Sequence, residues 1–506
     1  MCIRDRKLTL QIKLSKTDFT KGKQCSKALW LNYYEPELKP DLDDKTRNIL
    51  ETGEEINELA RSYFKDGINA TIDDYFDILK AQDFTKELIS QNHQIIFEAT
   101  AIESYDNSHA RIDILQKNED GASWNLIEVK GSTKAEKYHI DDLAFQYHIF
   151  TKAGFKIDKC LLMLINNEYR LKGEMSPQKF FKFEDITDKV LEKQNEVEAK
   201  KQELIKILNN QNQPNIIIGD KCFKPFYCEY QKHCWQNIPD YSIFNVCHRK
   251  TTAERIADEI NSYDVNDIDV NDYEKGIKEL DIICYQENKT HIDKAKLSEF
   301  LSTLKYPIYF LDYESFSLAI PILQNTRPYQ QIPFQFSLHI QDKPNGELKH
   351  FEFLHQNNSD PREDFIQNLI KYCECKDNGS IIVYHKDFEE ARNKELAKDF
   401  PKYATQLLNL NDRIIDLEVP FKKRHIYNPK QQGKSSIKKV LPAFTDLNYQ
   451  NLEIKSGGDA MDIYADFIKG KTNLENNLVK NLLEYCRLDT YAMVKLLEEL
   501  FNFVKK

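Results

Sequence analysis

Two strand-like segments joined by a short polar turn place the strongest constraint on the fold. Residues 111–115 and 124–130 are rich in apolar and β-branched side chains, and residues 118–121 between them read Asn-Glu-Asp-Gly. Asn, Asp and Gly are typical of tight turns, so we predict a β-hairpin at this point. The hairpin requires an antiparallel sheet in the first half of the chain.

The hairpin carries charged side chains suited to binding a metal ion. Side chains two apart in a strand share a face, so Glu128 and Lys130 point the same way, and Asp113 on the neighbouring strand can join them. Two carboxylates beside a lysine predict a Mg²⁺ or Mn²⁺ site of the kind that phosphodiester hydrolysis needs. An ordinary amphipathic strand is the alternative interpretation.

The context of the hairpin favours a nuclease site. A strand-like segment ends at Glu98, and a helix follows the hairpin, with Gln146 placed where it can reach a substrate phosphate. The helix is indicated by apolar residues at helical spacing, namely Ile140, Leu143, Ala144 and Tyr147.

This arrangement resembles the RecB-type branch of the PD-(D/E)XK nucleases. The resemblance implies that Asp113 and Glu128 are metal ligands, that Lys130 is the catalytic lysine and that Gln146 is the glutamine of the following motif. The sequence departs from that pattern at two positions. The family often has a tyrosine where this chain has Phe150, and many relatives have a metal-binding histidine where it has Asn57.

The cysteines are odd in number, 11 in all, and the N-terminus has no apolar signal-peptide core. We therefore expect a reduced, cytoplasmic protein without a disulfide framework. Residues 1–6 match no targeting pattern and read like translated sequencing adapter, so Cys2 is set aside. No role beyond burial or exposure is expected for six others: Cys160, Cys247, Cys284, Cys373, Cys375 and Cys486.

Four cysteines are candidate ligands of a metal centre. Cys222, Cys228 and Cys234 are separated by five residues each, and Cys25 lies almost 200 residues earlier. Zinc sites usually pair ligands two to four residues apart, which fits these gaps poorly, whereas four thiolates can hold a [4Fe–4S] cluster. Zinc and unconnected thiols remain alternatives.

The sequence around Cys25 adds a resemblance. Ser15-Lys16 followed by Phe19, then Gln24-Cys25 and Trp30, together with the late cysteines, is similar to the iron–sulfur nucleases of the CRISPR-associated RecB-like type and to the AddB nuclease domain. In that family, one early and three late cysteines hold a [4Fe–4S] cluster and tether the ends of the nuclease fold.

A second candidate site begins with an apolar strand, residues 306–314, that ends in Asp312 and Glu314 on one face. Two further strands, a helix and a strand at residues 380–384 indicate an RNase H-like fold. Residues 385–389 then open a helix. Near the C-terminus, Tyr485 and Asp489 are four apart in a long amphipathic helix and so share a face.

The order of these motifs resembles the DEDD (DnaQ-like) 3′–5′ exonucleases of the tyrosine subclass. The resemblance implies that two Mg²⁺ or Mn²⁺ ions are held by four carboxylates and that Tyr485 positions the attacking water. The four are Asp312, Glu314, Glu389 and Asp489. Glu389 stands in place of the usual aspartate, with Asp387 as an alternative, and His385 replaces a frequent asparagine.

The whole chain resembles an uncharacterised bacterial "domain of unknown function" family that couples the two folds. We expect an iron–sulfur PD-(D/E)XK domain over residues 8–240, a mostly helical connector over 241–305 and a DnaQ-like domain over 306–506. No stretch approaches about 18 consecutive apolar residues, so no membrane segment is expected.

The resulting hypothesis is a metal-dependent nuclease acting on single-stranded or end-exposed DNA, in preference to RNA. The net charge of −10 excludes a uniformly basic surface but permits local phosphate-binding patches. Candidates for these are Lys134, Lys137, Lys422, Lys423, Arg424, Lys434, Lys438 and Lys439. The alternatives are an RNA exonuclease, or a non-catalytic nucleic-acid-binding or scaffold protein with a structural cluster and a degenerate exonuclease domain.

Overall fold

The computed structural model describes residues 14–273, 275–373 and 378–505. Residues 1–6 with Cys2, and also Cys375, lie outside the described residues. The chain divides into two compact units, with the boundary between Asn237 and Ile238. Both units combine helices with a mixed sheet, which confirms the predicted α/β class.

The first unit is built on a six-stranded sheet in the order β1-β2-β3-β4-β5-β6. Its strands are β1 (Ile68–Asn69), β2 (Ile95–Ile102), β3 (His109–Lys117), β4 (Trp124–Lys130), β5 (Ile157–Ile165) and β6 (Phe181–Asp185). Its helices are α1 (Lys16–Gln24), α2 (Ser26–Tyr34), α3 (Asp44–Arg61), α4 (Ile78–Ser90), α5 (Lys137–Lys152), α6 (Pro177–Phe180), α7 (Thr187–Glu192), α8 (Gln194–Asn209) and α9 (Gln231–Cys234).

The predicted hairpin is confirmed as the antiparallel pair β3 and β4, in which Ile114 lies opposite Ile127. Its turn is closed by the Gly121 amide, which donates to the Asn118 carbonyl at 3.0 Å. Gly121 has φ +67°, a conformation that glycine adopts without steric cost. Strand β5 then pairs in parallel with β4, and the connecting helix α5 covers the sheet.

The packing of helix α5 explains why a phenylalanine is suitable at position 150, where the RecB-type pattern often has a tyrosine. Its buried face contributes Leu143, Phe145 and Ile149 to the core of the first unit. Phe150 is also fully buried, and its ring centroid lies 5.0 Å from that of Phe155. In this chain, the position is therefore a packing residue of the apolar core.

The second unit contains a five-stranded sheet in the order β10-β9-β8-β11-β12 and a two-stranded sheet of β7 and β13. Its strands are β7 (His291–Ile292), β8 (Ile308–Phe316), β9 (Ile332–Gln341), β10 (Leu348–Leu354), β11 (Ile381–Val383), β12 (Ile414–Asp416) and β13 (Ile426–Tyr427). Its helices are α10 (Ile243–Val246), α11 (Lys250–Ile260), α12 (Glu279–Gln286), α13 (Lys294–Ser302), α14 (Arg362–Cys373), α15 (Asp387–Asp399), α16 (Ala404–Asn411), α17 (Val419–Lys422), α18 (Ile437–Phe444), α19 (Gly457–Ile468) and α20 (Asn476–Lys505).

The larger sheet begins with the three antiparallel strands expected from the sequence. Strand β8 pairs antiparallel with β9, and β9 with β10, whereas β11 and β12 are parallel to β8. The long helix α20 packs on β8 and β9, and Gln335 of β9 donates to the Leu482 carbonyl at 2.8 Å. This packing brings the C-terminal motif against the strand that carries Asp312.

The segment 241–305 is mostly helical, and it belongs to the second compact unit. Its strand β7 pairs with β13, and Asp281 of α12 receives two hydrogen bonds of 2.7 Å from Arg424. None of the helices within the described residues is both long enough and apolar enough to cross a membrane.

Candidate active sites

In the first unit, three carboxylates of the central strands lie close enough for their charges to interact. Asp113 adjoins the pair of Ile114 and Ile127 in β3 and β4, and Glu98 lies between the pairs that Phe97 and Ala99 form with β3. The charges of Glu128 and Glu98 both act to raise the pKa of Asp113. The predicted pair of Asp113 and Glu128 is therefore neighbouring in space, with Glu98 as a third carboxylate.

Glu128 is buried and receives three hydrogen bonds. Lys16 and Lys130 donate to Oε1 at 2.6 and 3.0 Å, and Gln146 donates to Oε2 at 2.6 Å. Burial acts to raise the pKa of Glu128, but the nearby ammonium groups of Lys130 and Lys16 outweigh it and lower the pKa to about 2. Glu128 is thus held as an anion and oriented from three directions.

The pKa of Asp113 shifts in the opposite direction. Burial, together with the negative charge of Glu128, raises the pKa of Asp113 to about 7. Its Oδ2 accepts one hydrogen bond, from the Val129 amide at 2.7 Å. Lys16 and Lys130 act to lower this pKa, but they do not offset burial and the charge of Glu128. A divalent cation would stabilise the charged form of such a carboxylate.

Lys130 lies between two carboxylates, as its Nζ is 3.0 Å from both Glu128 and Asp142. Burial acts to lower the pKa of Lys130, but the attraction of these carboxylates is stronger and raises it. The ammonium form therefore persists. Asp142 also accepts from the Thr20 hydroxyl at 2.8 Å. Lysine and aspartate therefore form a fixed polar pair at the edge of the site.

Lys16 is a site residue for which the sequence reasoning gave no role. Ser15 caps α1 through a reciprocal capping box with Asp18, which fixes where the helix begins. Lys16 and Thr20 are four apart and so share the helix face that meets the sheet. The Ser-Lys pair at the start of α1 is the sequence signal that could have indicated this contact.

The contact of Gln146 with substrate stays a prediction, because in this structure its side chain bonds inside the site. Gln146 is fully buried, and its amide nitrogen donates to Glu128 and to the Arg111 carbonyl at 2.6 and 2.7 Å. Helix α5 aims this side chain into the sheet because Asp142 and Gln146, four apart, share one face. Gln146 therefore positions Glu128 and does not face the solvent side of the site.

The third carboxylate, Glu98, has an unusual backbone. Its φ of +57° is rare for residues other than glycine, and such strain is often found at functional sites. Arg61 of α3 donates to its carboxylate at 2.8 Å. Helix α3 therefore contacts the site through Arg61. Asn57, at the position where many relatives have a histidine, lies one turn earlier in the same helix.

The four candidate cysteine ligands come together. Cys25, at the end of α1, and the later Cys222, Cys228 and Cys234 line one small cavity. Its apolar surroundings are Ala28, Trp30, Leu31 and Tyr230. Burial raises the pKa of the Cys228 thiol to about 11, and the other three cysteines contribute to this shift. Residues separated by almost 200 positions thus form one thiol cluster.

In the second unit, four predicted carboxylates are buried against one another. Burial and the charge of Asp489 raise the pKa of Asp312, and burial with the charges of Asp312 and Asp489 raises that of Glu314. Gly457 at the start of α19 leaves room for Glu314, since a Cβ atom there would lie 3.3 Å from Oε2.

Glu389, and not the alternative Asp387, faces this cluster. Asp387 is exposed at the start of α15, whereas Glu389 is 2% exposed and its Oε2 has no hydrogen-bond partner. Burial and the charge of Asp312 raise the pKa of Glu389. An orphaned, buried carboxylate oxygen fits a position that a cation would occupy.

His385 precedes this helix with φ +74° and turns away from the carboxylates. Its amide donates to Asp416 at 3.0 Å, and its imidazole lies 3.1 Å from Glu418. Histidine tolerates this left-handed conformation better than most residues, which explains how it can replace asparagine.

Asp489 and Tyr485 lie on the face of α20 that meets β8. Burial raises the pKa of Asp489 to about 6, and its Oδ1 accepts a 2.5 Å hydrogen bond from Tyr449. Burial and the charge of Asp489 also raise the pKa of Tyr485, which therefore keeps its proton. Tyr449 is a further site residue that the sequence did not indicate.

Cys486 is buried, as one of the two environments expected for it, and it lies beside the carboxylates of the second site. Its Sγ lies 3.5 Å from Asp312 Oδ2, and the ligand atoms of Asp312, Glu314 and Cys486 all lie within 4.8 Å of one another. The sequence signal was its position beside Tyr485, which places the thiol on the adjoining part of the same helix surface.

Two of the basic residues proposed for phosphate contacts have clear positions. Lys438 lies 5.5 and 5.2 Å from the ring centroids of Tyr449 and Tyr485, so its ammonium group borders the carboxylates. Arg424 is wrong as a candidate, because its guanidinium group is committed to the buried Asp281.

Comparison with known proteins places this second site partly within a recognised domain. Residues 309–436 match the family described as "Domain of unknown function (DUF2779)". This range confirms the expected domain of unknown function, and it contains Asp312, Glu314 and Glu389 but ends before Tyr485 and Asp489.

Relatives extend the similarity beyond that domain. "Uncharacterized protein UU173" of Ureaplasma parvum is 24% identical over 431 residues, covering 78% of this chain and 56% of the relative. "Uncharacterized protein MG366" of Mycoplasma genitalium is 30% identical over 227 residues, covering 40% of this chain and 33% of the relative. The chain thus spans little more than half of the first relative and one third of the second.

Proposed function

We propose that the chain is a metal-dependent nuclease with two phosphodiester-hydrolysing sites, one in each unit. The observation that carries this proposal is the buried carboxylate cluster of the second unit, in which Glu389 has an oxygen without a partner. Buried carboxylates that raise one another's pKa need protons or cations for stability, and carboxylate oxygens are the ligands that Mg²⁺ and Mn²⁺ prefer.

The strand order supports an RNase H-like fold for the second unit. Three antiparallel strands followed by two parallel ones, in the order β10-β9-β8-β11-β12, accord with that expectation. Asp312 and Glu314 occupy the central strand, and α20 brings Asp489 beside it. In the first unit, the hairpin followed by α5 and the parallel strand β5 likewise supports a PD-(D/E)XK fold.

In the second site, Asp312, Glu314, Glu389 and Asp489 are the residues that would hold the cations. Bound Mg²⁺ or Mn²⁺ would polarise the scissile phosphate and favour deprotonation of the attacking water. The protonated hydroxyl of Tyr485 is placed to orient that water. Lys438, on the border of the carboxylates, would neutralise charge on the substrate phosphate.

In the first site, Glu128 and Asp113 would hold a cation, with Glu98 nearby. Lys130 keeps its proton between Glu128 and Asp142 and presents an ammonium group to the phosphate. Gln146 fixes the orientation of Glu128 from behind. The first site thus combines a charged ligand (Glu128), an ammonium group (Lys130) and a positioning residue (Gln146).

We also propose that the four cysteines hold a [4Fe–4S] cluster. Thiolates about 2.3 Å from a single tetrahedral zinc ion would come within about 4 Å of one another. Among the described residues, no three groups including these cysteines have ligand atoms within 4.8 Å. The wider spacing, in an apolar cavity, favours a larger cluster over zinc.

The experiment is digestion of end-labelled single-stranded DNA by anaerobically purified protein, with Mg²⁺, Mn²⁺ or chelator. We expect divalent-dependent digestion, part of it lost in Lys130→Ala and the remainder lost in Asp312→Ala. Digestion by the wild type that neither substitution alters would show that both site assignments are wrong. Parallel assays with RNA of the same sequence determine the sugar preference.

A further inference from the structure

A cleft of about 270 Å³ in the first unit connects the proposed active site to the cysteine loop, residues 220–234. Lys16 and Asp142, which both belong to the site, line one end, and Phe226, Tyr227 and Cys228 line the other. Ligand pockets typically measure about 300–1,000 Å³. The cleft is close to the lower end of this range, a size that suits one planar group such as a nucleobase.

Two aromatic side chains of the cysteine loop are exposed at this cleft. Phe226 is 45% exposed and Tyr227 is 70% exposed. Each ring is held by a neighbour: the Phe226 centroid lies 4.8 Å from that of Tyr138, and the Tyr227 centroid lies 5.4 Å from that of Phe223. Exposed but positioned rings are suited to stacking against a planar ligand.

The loop is fastened to α1, so its rings keep a fixed relation to the active site. The Gln24 side chain donates to the carbonyls of Lys221 and Phe226, each at 2.7 Å. Lys21 forms an ion pair with Glu229. The Nζ atom of Lys39 lies 3.2 Å from the other carboxylate oxygen of Glu229. These bonds join the loop to the helix that supplies Lys16.

Lysines outnumber acidic residues in the two segments that form the cleft. Four lysines and one acidic residue lie within residues 15–27, and the cysteine loop adds three lysines against two acidic residues. Lys16 and Lys21, the lysines that line the cleft, pair with Glu128 and Glu229, so a strand phosphate would compete with these carboxylates for the two ammonium groups. Basic grooves with aromatic side chains are the usual way in which proteins bind single strands without sequence preference.

We propose that the cleft is the entry site for single-stranded DNA, in which Phe226 and Tyr227 stack on a base next to the phosphate cleaved at the first site. This inference rests on the proposed nuclease function and adds the strand path to it. The loop then has two tasks, since the segment that carries three cysteines also presents the stacking rings.

The test measures binding of a fluorescent single-stranded oligonucleotide in chelator, by anisotropy, to the full-length holoprotein. Loss of base stacking weakens single-strand binding roughly 5- to 150-fold, so Phe226→Ala/Tyr227→Ala should fall in that range. Tyr105→Ala is the matched control, because Tyr105 is 85% exposed on the same unit and does not line the cleft. It should change affinity by less than about twofold.

Photocrosslinking separates contact from a structural effect. An oligonucleotide carrying 5-iododeoxyuridine should crosslink to Phe226 or Tyr227 in the wild type, and Tyr227→Trp should retain both crosslinking and affinity. Unchanged affinity in the double variant, or equal competition by duplex DNA, would overturn the inference while wild-type digestion upholds the nuclease function. A wild type that neither binds nor digests DNA would overturn both.

Discussion

Single residues determine the chemistry of each candidate site through the charges that surround them. Two lysines beside Glu128 lower the pKa of this carboxyl group to about 2. Burial and the charge of Glu128 raise the pKa of Asp113, on the neighbouring strand, to about 7. In the second unit, the pKa values of all four carboxylates are raised. We therefore expect the second site to depend more strongly on a bound cation.

Glu389→Gln tests this dependence. Removing one buried carboxylate should reduce the activity of the second site by roughly 10²-fold or more, since electrostatic groups at an active site have effects of this size. Because the substitution also removes repulsion with Asp312, the melting temperature measured in chelator should rise or stay unchanged, and the stabilisation by Mn²⁺ should shrink.

Asp387→Asn is the matched control for that substitution, because Asp387 lies two residues earlier on α15 and is exposed. It should leave the activity, the melting temperature and the Mn²⁺ effect unchanged. Equal effects of the two substitutions would contradict the assignment of Glu389 as the ligand.

Lys16→Met tests the contribution of α1 to the first site. Loss of its 2.6 Å hydrogen bond should raise the pKa of Glu128 and reduce activity at the first site by roughly tenfold, within the range known for residues that support a metal ligand. The measurement is Mg²⁺-dependent digestion in an Asp312→Ala background, which isolates this site. Substitution of the exposed Lys45 by Met should have no effect, and full activity of Lys16→Met would contradict the role.

At the scale of the element, strands and long helices were predictable because their patterns are local. The hairpin of β3 and β4 and the three strands β8 to β10 follow from alternating apolar residues and turn residues. Contacts between distant segments were not predictable. Lys16 meets Glu128 across 112 positions and Cys486 meets Asp312 across 174. Neighbouring residues mark Lys16 and Cys486 as candidates, but a local pattern does not identify their distant partners.

The contacts of the cysteine loop with α1 were likewise not predictable from the sequence. The sequence indicated Cys25, Cys222, Cys228 and Cys234 as a set, and a shared cavity brings them together. Gln24 belongs to the motif around Cys25, but the sequence did not indicate that its side chain fastens the loop to α1. Its acceptors are backbone carbonyls of a distant segment, and a local pattern does not specify such acceptors.

Cys228→Ser tests the proposed cluster. Anaerobically purified wild type should be brown with broad absorbance near about 400 nm, a colour expected of iron–sulfur ligation. The substitution should remove this absorbance and lower the melting temperature of the first unit, since ligand loss couples to folding. Digestion by the second site should continue.

Cys160→Ala is the control for the cluster test, because Cys160 is a fully buried thiol of the same unit outside the cavity. It should keep the absorbance. A colourless wild type that contains zinc would contradict the iron–sulfur proposal.

At the scale of the whole molecule, each unit has its own core and its own candidate site. The first unit offers one fixed anion with two lysines and an adjoining cleft, and the second offers four carboxylates with a tyrosine. Since the two sites share no residue, we expect their activities to be separable by single substitutions.

The most direct test of the central claim compares wild type, Lys130→Ala, Asp312→Ala and the double variant in digestion of labelled single-stranded DNA with Mn²⁺. We predict that each single variant retains the activity of the other site, with distinct product patterns. The double variant should be inactive although folded. Digestion by the double variant at the wild-type rate would contradict the proposal that these two carboxylate sites hydrolyse nucleic acid.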